Sequence, residues 1–197
     1  MRELFELINK IVLGYFKTRY NDLGKNQSGM YNYYHELMSN GNILREEDYY
    51  IACYIKENYD AEDVIHEMAC GAAQLGHLLS LIGFKNVIAT EMDKKRYKLA
   101  AGLGKILSSD CIIKNENSFN QDTTYDLVVT NNAVSSTTTF ADAKEYFQKV
   151  LKSGGNIIIN PNIFDGNMNR ELLLDNFTKI EIGFTELEYD YVKLEVL

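Results

Sequence analysis

Two acids and the run of small residues between them carry most of the chemistry legible in this sequence. Val64-Ile65-His66-Glu67-Met68 reads as a strand with an acid near its end, followed by Ala69-Cys70-Gly71-Ala72-Ala73, where no side chain exceeds a thiol. Such a turn lets backbone and ligand come close. Gln74-Leu75-Gly76-His77-Leu78-Leu79, closed by Gly83, reads as an apolar helix. Its free N–H groups would point back at the turn, where an anionic or polar ligand end is favoured. Glu91 ends a second apolar run, Val87-Ile88-Ala89-Thr90, with Met92 next in line. An acid placed about 20 residues beyond a small-residue loop suits both hydroxyls of a ribose.

Two polar stretches follow later strands. Asn115-Glu116-Asn117-Ser118-Phe119 offers an amide or carboxylate to an adenine edge, and equally an Asx-rich turn. Thr130-Asn131-Asn132-Ala133-Val134-Ser135-Ser136-Thr137-Thr138-Thr139 is long, polar and uncharged, at the lip where a substrate would sit.

The elements that must position these residues follow from periodicity. Leu4, Phe5, Ile8, Ile11, Val12, Tyr15 and Phe16 predict an amphipathic helix over 2–20. A tyrosine-rich helix is expected at 30–38 and another at 45–58. Strands are expected at 64–68, 87–91, 111–114, 126–130 and 156–160, with helices at 73–82, from Asp93 to Leu107, at 140–151 and at 168–176. Asp93 is a natural N-cap, and Ser153-Gly154-Gly155 reads as a helix stop. Two alternating strands, 179–184 and 189–196, predict an antiparallel hairpin. The expected fold class is α/β, doubly wound and mostly parallel, with ligands at the carboxyl ends of the strands.

At this point the layout resembles the class I, Rossmann-like S-adenosylmethionine-dependent methyltransferases, over residues 45–197. The acid, spacer and small turn of Glu67 to Ala73 resemble the family's first motif. Tyr125-Asp126-Leu127-Val128-Val129 resembles its fourth-strand motif, and Leu151-Lys152-Ser153-Gly154-Gly155-Asn156 its approach to strand five. The resemblance implies a seven-stranded sheet with the last strand antiparallel, and S-adenosylmethionine as cofactor. It implies cofactor contacts at Glu67, Ala69, Gly71, Gln74, Leu75, Glu91, Met92, Asn117, Ser118 and Asn131. The usual G-x-G carries alanines here, Ala69 and Ala73, which fit if the backbone there stays at negative φ. Residues 1–60 would form a helical extension or substrate cap and 61–197 the cofactor domain.

For a hydroxyl acceptor such an enzyme needs a base. His35 is the candidate, with Tyr31 and Tyr34 walling a pocket, and a surface role for His35 stands beside that reading. His66 and His77 read as structural. The acceptor is expected to be a small molecule, a sugar intermediate or other metabolite. Alternatives are a non-catalytic protein of the same fold binding a partner through its tyrosine-rich N-terminus, an aminopropyl-transferring relative, and an NAD-dependent Rossmann enzyme.

Composition narrows the classes further. A net charge of −8 argues against nucleic acid as partner, since phosphate binding needs clustered Lys and Arg. No apolar run of about 18 residues predicts a membrane span. The acids among the first six residues argue against a secretory signal, so a cytoplasmic location is expected. Cys53, Cys70 and Cys111 are widely spaced, without the pattern of a zinc site, and no metal is expected. A homo-oligomer is compatible with everything above.

Overall fold

The computed structural model describes residues 1–19, 28–130, 140–159, 177–182 and 191–196, with backbone alone for 28–33, 140–144 and the last two segments. Three helices lead the chain: α1 (Arg2–Arg19), α2 (Ser28–Ser39) and α3 (Glu46–Asn58). The alternating part follows as β1 (Val64–Met68), α4 (Gln74–Leu81), β2 (Asn86–Thr90), α5 (Lys94–Leu107), β3 (Ile112–Lys114), β4 (Tyr125–Thr130), α6 (Phe140–Val150) and β5 (Leu151–Ile159).

Five strands run parallel in the order β3-β2-β1-β4-β5, so the chain starts in the middle of the sheet and winds outward both ways. That reversal of direction lies between β1 and β4, and in open sheets of this kind it marks the ligand crevice. Beyond β5 the backbone of β7 (Tyr191–Val196) and β6 (Phe177–Ile182) adds an antiparallel pair. β5 begins earlier than the sequence suggests. Leu151 already pairs with Tyr125, and the glycines expected to stop a helix lie inside a strand whose register shifts before Leu127 meets Asn156. The expected helix at 168–176 lies outside the described residues, as does Asn160.

The two faces of the sheet are built differently. Ile65, Val87, Ala89, Leu127, Val129 and Ile158 share one buried cluster with residues of α1, α3, α4 and α5. Phe5, Ile8, Val12 and Phe16 of α1 belong to that same cluster, at the i, i+3, i+4 spacing of its buried face. Each such side chain contributes roughly 1.5–3 kcal/mol when fully buried. Tyr15 fixes how α1 meets α5: its hydroxyl donates to the Leu99 carbonyl at 3.2 Å and lies over Gly102. A Cβ at Gly102 would stand 2.1 Å from that oxygen. On the other face, His66, Thr90, Tyr125, Tyr146 and Phe147 are buried, with Tyr146 and Phe147 coming from α6.

His77 is a bolt between helices. It is buried, with Nδ1 3.0 Å from the Ser109 hydroxyl and Nε2 3.0 Å from the Ala100 carbonyl. Burial pulls its pKa down to about 4. Among the described residues no helix is long and apolar enough to cross a membrane.

Candidate functional site

The parallel register brings the strand ends together. Glu67 pairs with Ala89, one residue from the end of β2, and Met68 pairs with Thr130 at the end of β4. Glu91 leaves β2 at the same edge of the sheet.

The turn between β1 and α4 runs through the left-handed region three times, at Ala69 (φ 45°), Gly71 (φ 58°) and Ala73 (φ 54°). The two alanines therefore do not escape to negative φ, as the sequence reading required of them. They stand where glycine is at ease, at about 1–2 kcal/mol each. Gly71 is held small by a contact within the protein as well. A Cβ there would meet the Tyr34 hydroxyl at 2.9 Å, so α2 reaches in and seats a buried tyrosine against the turn.

Both acids are engaged with the turn. Glu67 Oε2 accepts the Gly76 N–H at 2.8 Å, taking one of the free donors at the start of α4. Burial raises its pKa to about 8, with Asp48 next in effect, while the Gly76 hydrogen bond and Arg45 pull the other way. Glu67 therefore holds its proton well above the ordinary carboxylate range. Glu91 is 2% exposed. Its Oε2 accepts the Gly71 N–H at 3.0 Å and lies 3.4 Å from Arg96 Nη1, while Oε1 accepts the Asp93 N–H at 2.8 Å. Of roughly four lone-pair positions on a carboxylate, three face protein donors. Room is left for about one ribose hydroxyl unless a protein donor yields.

Asn115 Nδ2 donates to the carbonyls of Glu91 and Met92 at 2.8 and 3.2 Å, which ties the exit of β3 to that of β2. Met92 is 73% exposed on this rim, an apolar surface open to a ligand. Asn117 is exposed and caps a short 3₁₀ turn, its Oδ1 accepting the Phe119 N–H at 3.0 Å. Ser118, by contrast, is buried. Its hydroxyl accepts the Ala69 N–H at 3.0 Å and lies 2.7 Å from the Thr90 hydroxyl, so it braces the turn rather than facing an adenine.

Other expected site residues fall elsewhere. Leu75 is core, 2% exposed, because the second position of α4 faces the sheet. Gln74 is buried and its Nε2 reaches back to the Ile43 carbonyl at 3.4 Å. Tyr34 and His35 are not side by side in a pocket wall. Tyr34 packs with Phe16 in the core, ring centroids 5.0 Å apart, and His35 is exposed, since neighbours on a helix point in different directions. Asn131 and the side chain of Tyr31 lie outside the described residues.

Three contributors escaped the sequence reading. Thr90 is a hydroxyl inside an apolar run, and that mismatch is the one signal that could have found it. Arg96 sits one turn into α5, partnering Glu91. Asp48 is 1% exposed, and its carboxylate accepts from the Arg45 N–H and guanidinium at the start of α3. That places an ion pair beside Glu67.

These features define a class: an α/β sheet that brings the carboxyl ends of β1, β2 and β4 together, with acids flanking a tight turn. No family model matches the sequence, and no curated protein matches it. Solved structures do. The chain is similar to the magnesium protoporphyrin IX methyltransferase of Synechocystis PCC 6803 with bound S-adenosylmethionine, at 12% identity and TM-score 0.60, covering 76% of this chain and 77% of that one. It is similar to the ribosomal protein L11 methylase of Lactobacillus delbrueckii subsp. bulgaricus, at 14% identity and TM-score 0.57, covering 79% and 80%. A Listeria monocytogenes protein named as a class I S-adenosylmethionine-dependent methyltransferase gives 16% identity and TM-score 0.57, covering 76% of this chain. The chain spans only 58% of that protein and 50% of Escherichia coli YjhP, another match. The fold is that of the class I S-adenosylmethionine-dependent methyltransferases.

Proposed function

We propose that this chain binds S-adenosylmethionine at the β1–α4 turn and transfers its methyl group, in line, to a small-molecule acceptor. The observation that carries the reading is the bracketing of a left-handed small-residue turn by Glu67 and Glu91 at adjacent parallel strand ends. The antiparallel C-terminal pair and a helical cap over residues 1–60 are parts of the same reading. The residues fit the cofactor at four places: exposed Met92 and Asn117 on the rim, the exposed Ala69 on the turn, and the remaining acceptor position on Glu91.

S-adenosylmethionine supplies a methyl group on a sulfonium, already a good leaving group, so alignment and exclusion of water are the protein's share. Glu67 faces the methionine end in this reading, and its proton leaves when a cationic ligand arrives. Glu91 takes a ribose hydroxyl. Met92 gives an apolar face to the adenine, and Asn117 an amide to its edge. Asn131 is assigned to the methionine amino group, and His35 to the proton of a hydroxyl acceptor. A cytoplasmic location and a homo-oligomer accord with this reading.

A second reading rests on its own observation. Tyr34 is seated on Gly71 and Glu91 is largely satisfied within the protein, as in a closed, non-catalytic member of the fold that binds a partner through its N-terminal helices. Calorimetry separates the two. Binding heat with S-adenosylmethionine supports the enzyme, and its absence at millimolar cofactor supports the second reading. Full turnover by His35→Ala would remove His35 as the base.

A further inference from the structure

One side of the sheet holds polar groups that the proposed chemistry does not use. His66 is fully buried in β1, its ring stacked on Tyr125 with centroids 4.6 Å apart. Its Nε2 lies 2.9 Å from the Thr90 hydroxyl, Thr90 lies 2.7 Å from the Ser118 hydroxyl, and Ser118 accepts the Ala69 N–H at 3.0 Å. At the far end the Tyr146 hydroxyl lies 3.5 Å from His66 Nδ1. The chain thus crosses from α6 through β1 and β2 to the turn.

One proton arrangement satisfies the whole chain: Ser118 accepts from Ala69 and donates to Thr90, Thr90 donates to His66 Nε2, and His66 carries its proton on Nδ1 toward Tyr146. In this sense every hydroxyl and ring nitrogen from Ser118 to His66 is satisfied. Burial keeps His66 neutral, with a pKa near 3, as this arrangement needs. The end of the chain is Ala69, a residue with a methyl group in the left-handed region.

We propose that Thr90, Ser118 and His66 are positioning residues of the cofactor turn, which hold Ala69 in its left-handed conformation through the Ala69 N–H. Glycine at position 69 would need no such brace. An alanine does, because its relaxed alternatives lie at negative φ and would swing the Ala69 carbonyl and the Gly71 N–H away. The inference rests on the proposed cofactor reading for its effect on ligand binding, but not for the brace itself.

The test is a double-mutant cycle between Ser118→Ala and Ala69→Gly. Affinity for S-adenosylhomocysteine is read by calorimetry, and exchange of the Ala69 amide proton by NMR without ligand. Ser118→Ala alone should weaken binding about tenfold, the equivalent of one buried hydrogen bond, and speed Ala69 exchange about tenfold or more. In the Ala69→Gly background the same substitution should cost no more than about threefold in affinity, since the strain it restrained is gone. Equal losses in the two backgrounds would overturn the proposal, because a purely structural Ser118 costs the same in both. Thr90→Val should reproduce the exchange effect and Thr90→Ser should restore it. Should the wild-type chain bind no S-adenosylhomocysteine, the cofactor reading falls, and the exchange rates still decide the brace: unchanged Ala69 exchange in Ser118→Ala and Thr90→Val would refute it.

Discussion

Glu91 Oε2 accepts the backbone N–H of Gly71 at 3.0 Å, so the acid expected to greet a ribose also holds the turn beneath it. Its second oxygen holds the Asp93 N–H at the head of α5. One carboxylate therefore fastens two backbone segments. Glutamine has a single acceptor oxygen, so Glu91→Gln leaves one buried N–H facing an NH₂ group. We expect a loss of about 1–3 kcal/mol in urea unfolding, together with weaker cofactor binding. A variant of wild-type stability would show that the two contacts carry no weight.

The strain at Ala69 and Ala73 predicts stabilisation by glycine. Ala69→Gly should gain about 1 kcal/mol, the left-handed penalty reduced by glycine's greater unfolded entropy. Ala73→Gly should gain less, because its methyl group is fully buried and packs in the core. Gly71→Ala should go the other way by about 1–3 kcal/mol, since its Cβ meets Tyr34. Chemical denaturation of the three variants checks the order.

Buried His66 and His77 and half-buried Glu67 set a pH profile with a maximum near 6.5. Glu67 holds its proton to about pH 8 in the fold, against an ordinary 4.5, so between those values the folded state binds more protons and stability falls as pH rises. His66 and His77 stay neutral down to about 3 and 4 in the fold, against an ordinary 6.5, so their contribution is complete above 6.5 and is lost as pH falls. The slope for one proton is at most about 1.4 kcal/mol per pH unit. Glu67→Gln should flatten the alkaline limb and steepen the acid limb between about pH 4.5 and 6.5, where the Glu67 slope opposes that of the two histidines. Urea midpoints measured from pH 4 to 9 test this.

The same proton gives a ligand-linked signal. A sulfonium cofactor near Glu67 favours the carboxylate, so binding at pH 7 should release up to one proton. Calorimetry in buffers of different ionisation enthalpy would read it, and Glu67→Gln should abolish it. A buffer-independent heat would show that Glu67 does not sense the ligand.

Tyr15 and Gly102 form a knob and hole between α1 and α5. Gly102→Ala should cost about 1–3 kcal/mol by displacing the tyrosine and its bond to Leu99. Tyr15→Leu, which removes the phenol, should make the same glycine substitution nearly neutral. Additive costs in the double variant would refute the coupling. Gly14→Ala is the control: a Cβ there meets nothing within 4 Å, and alanine should gain about 1 kcal/mol in a helix.

Much of the fold was legible because its signals are local. The apolar runs at 64–68, 87–91 and 126–130 announce strands, and Asp93 caps α5 as expected, its Oδ1 accepting from Lys95 and Arg96. The β5 boundary was not legible. Leu151 is drawn into the sheet by pairing with Tyr125, a contact that the local glycine signal opposes. At the site, the acids and the turn were found by type and spacing. Their detailed roles were not, because these depend on packing across the sheet. Ser118 looks like a ligand contact in its Asn-Ser-Phe context, and only the fold turns its hydroxyl under Ala69. Tyr34 looks like a pocket wall until Phe16 and Gly71 close around it.

The docking of α1 on α5 also bears on how the chain is made. Residues 2–19 leave the ribosome well before residues 94–107, to which part of the surface they cover belongs. Phe5, Ile8, Val12 and Phe16 meet Tyr34 and Tyr49 of the next two helices earlier, but their cover is complete only when α5 has been synthesised. Synthesis runs at about 5–20 residues per second, so the interval lasts several seconds. Over that interval part of the apolar face of α1 has no partner, so the docking of α1 on α5 cannot precede the synthesis of residues 94–107.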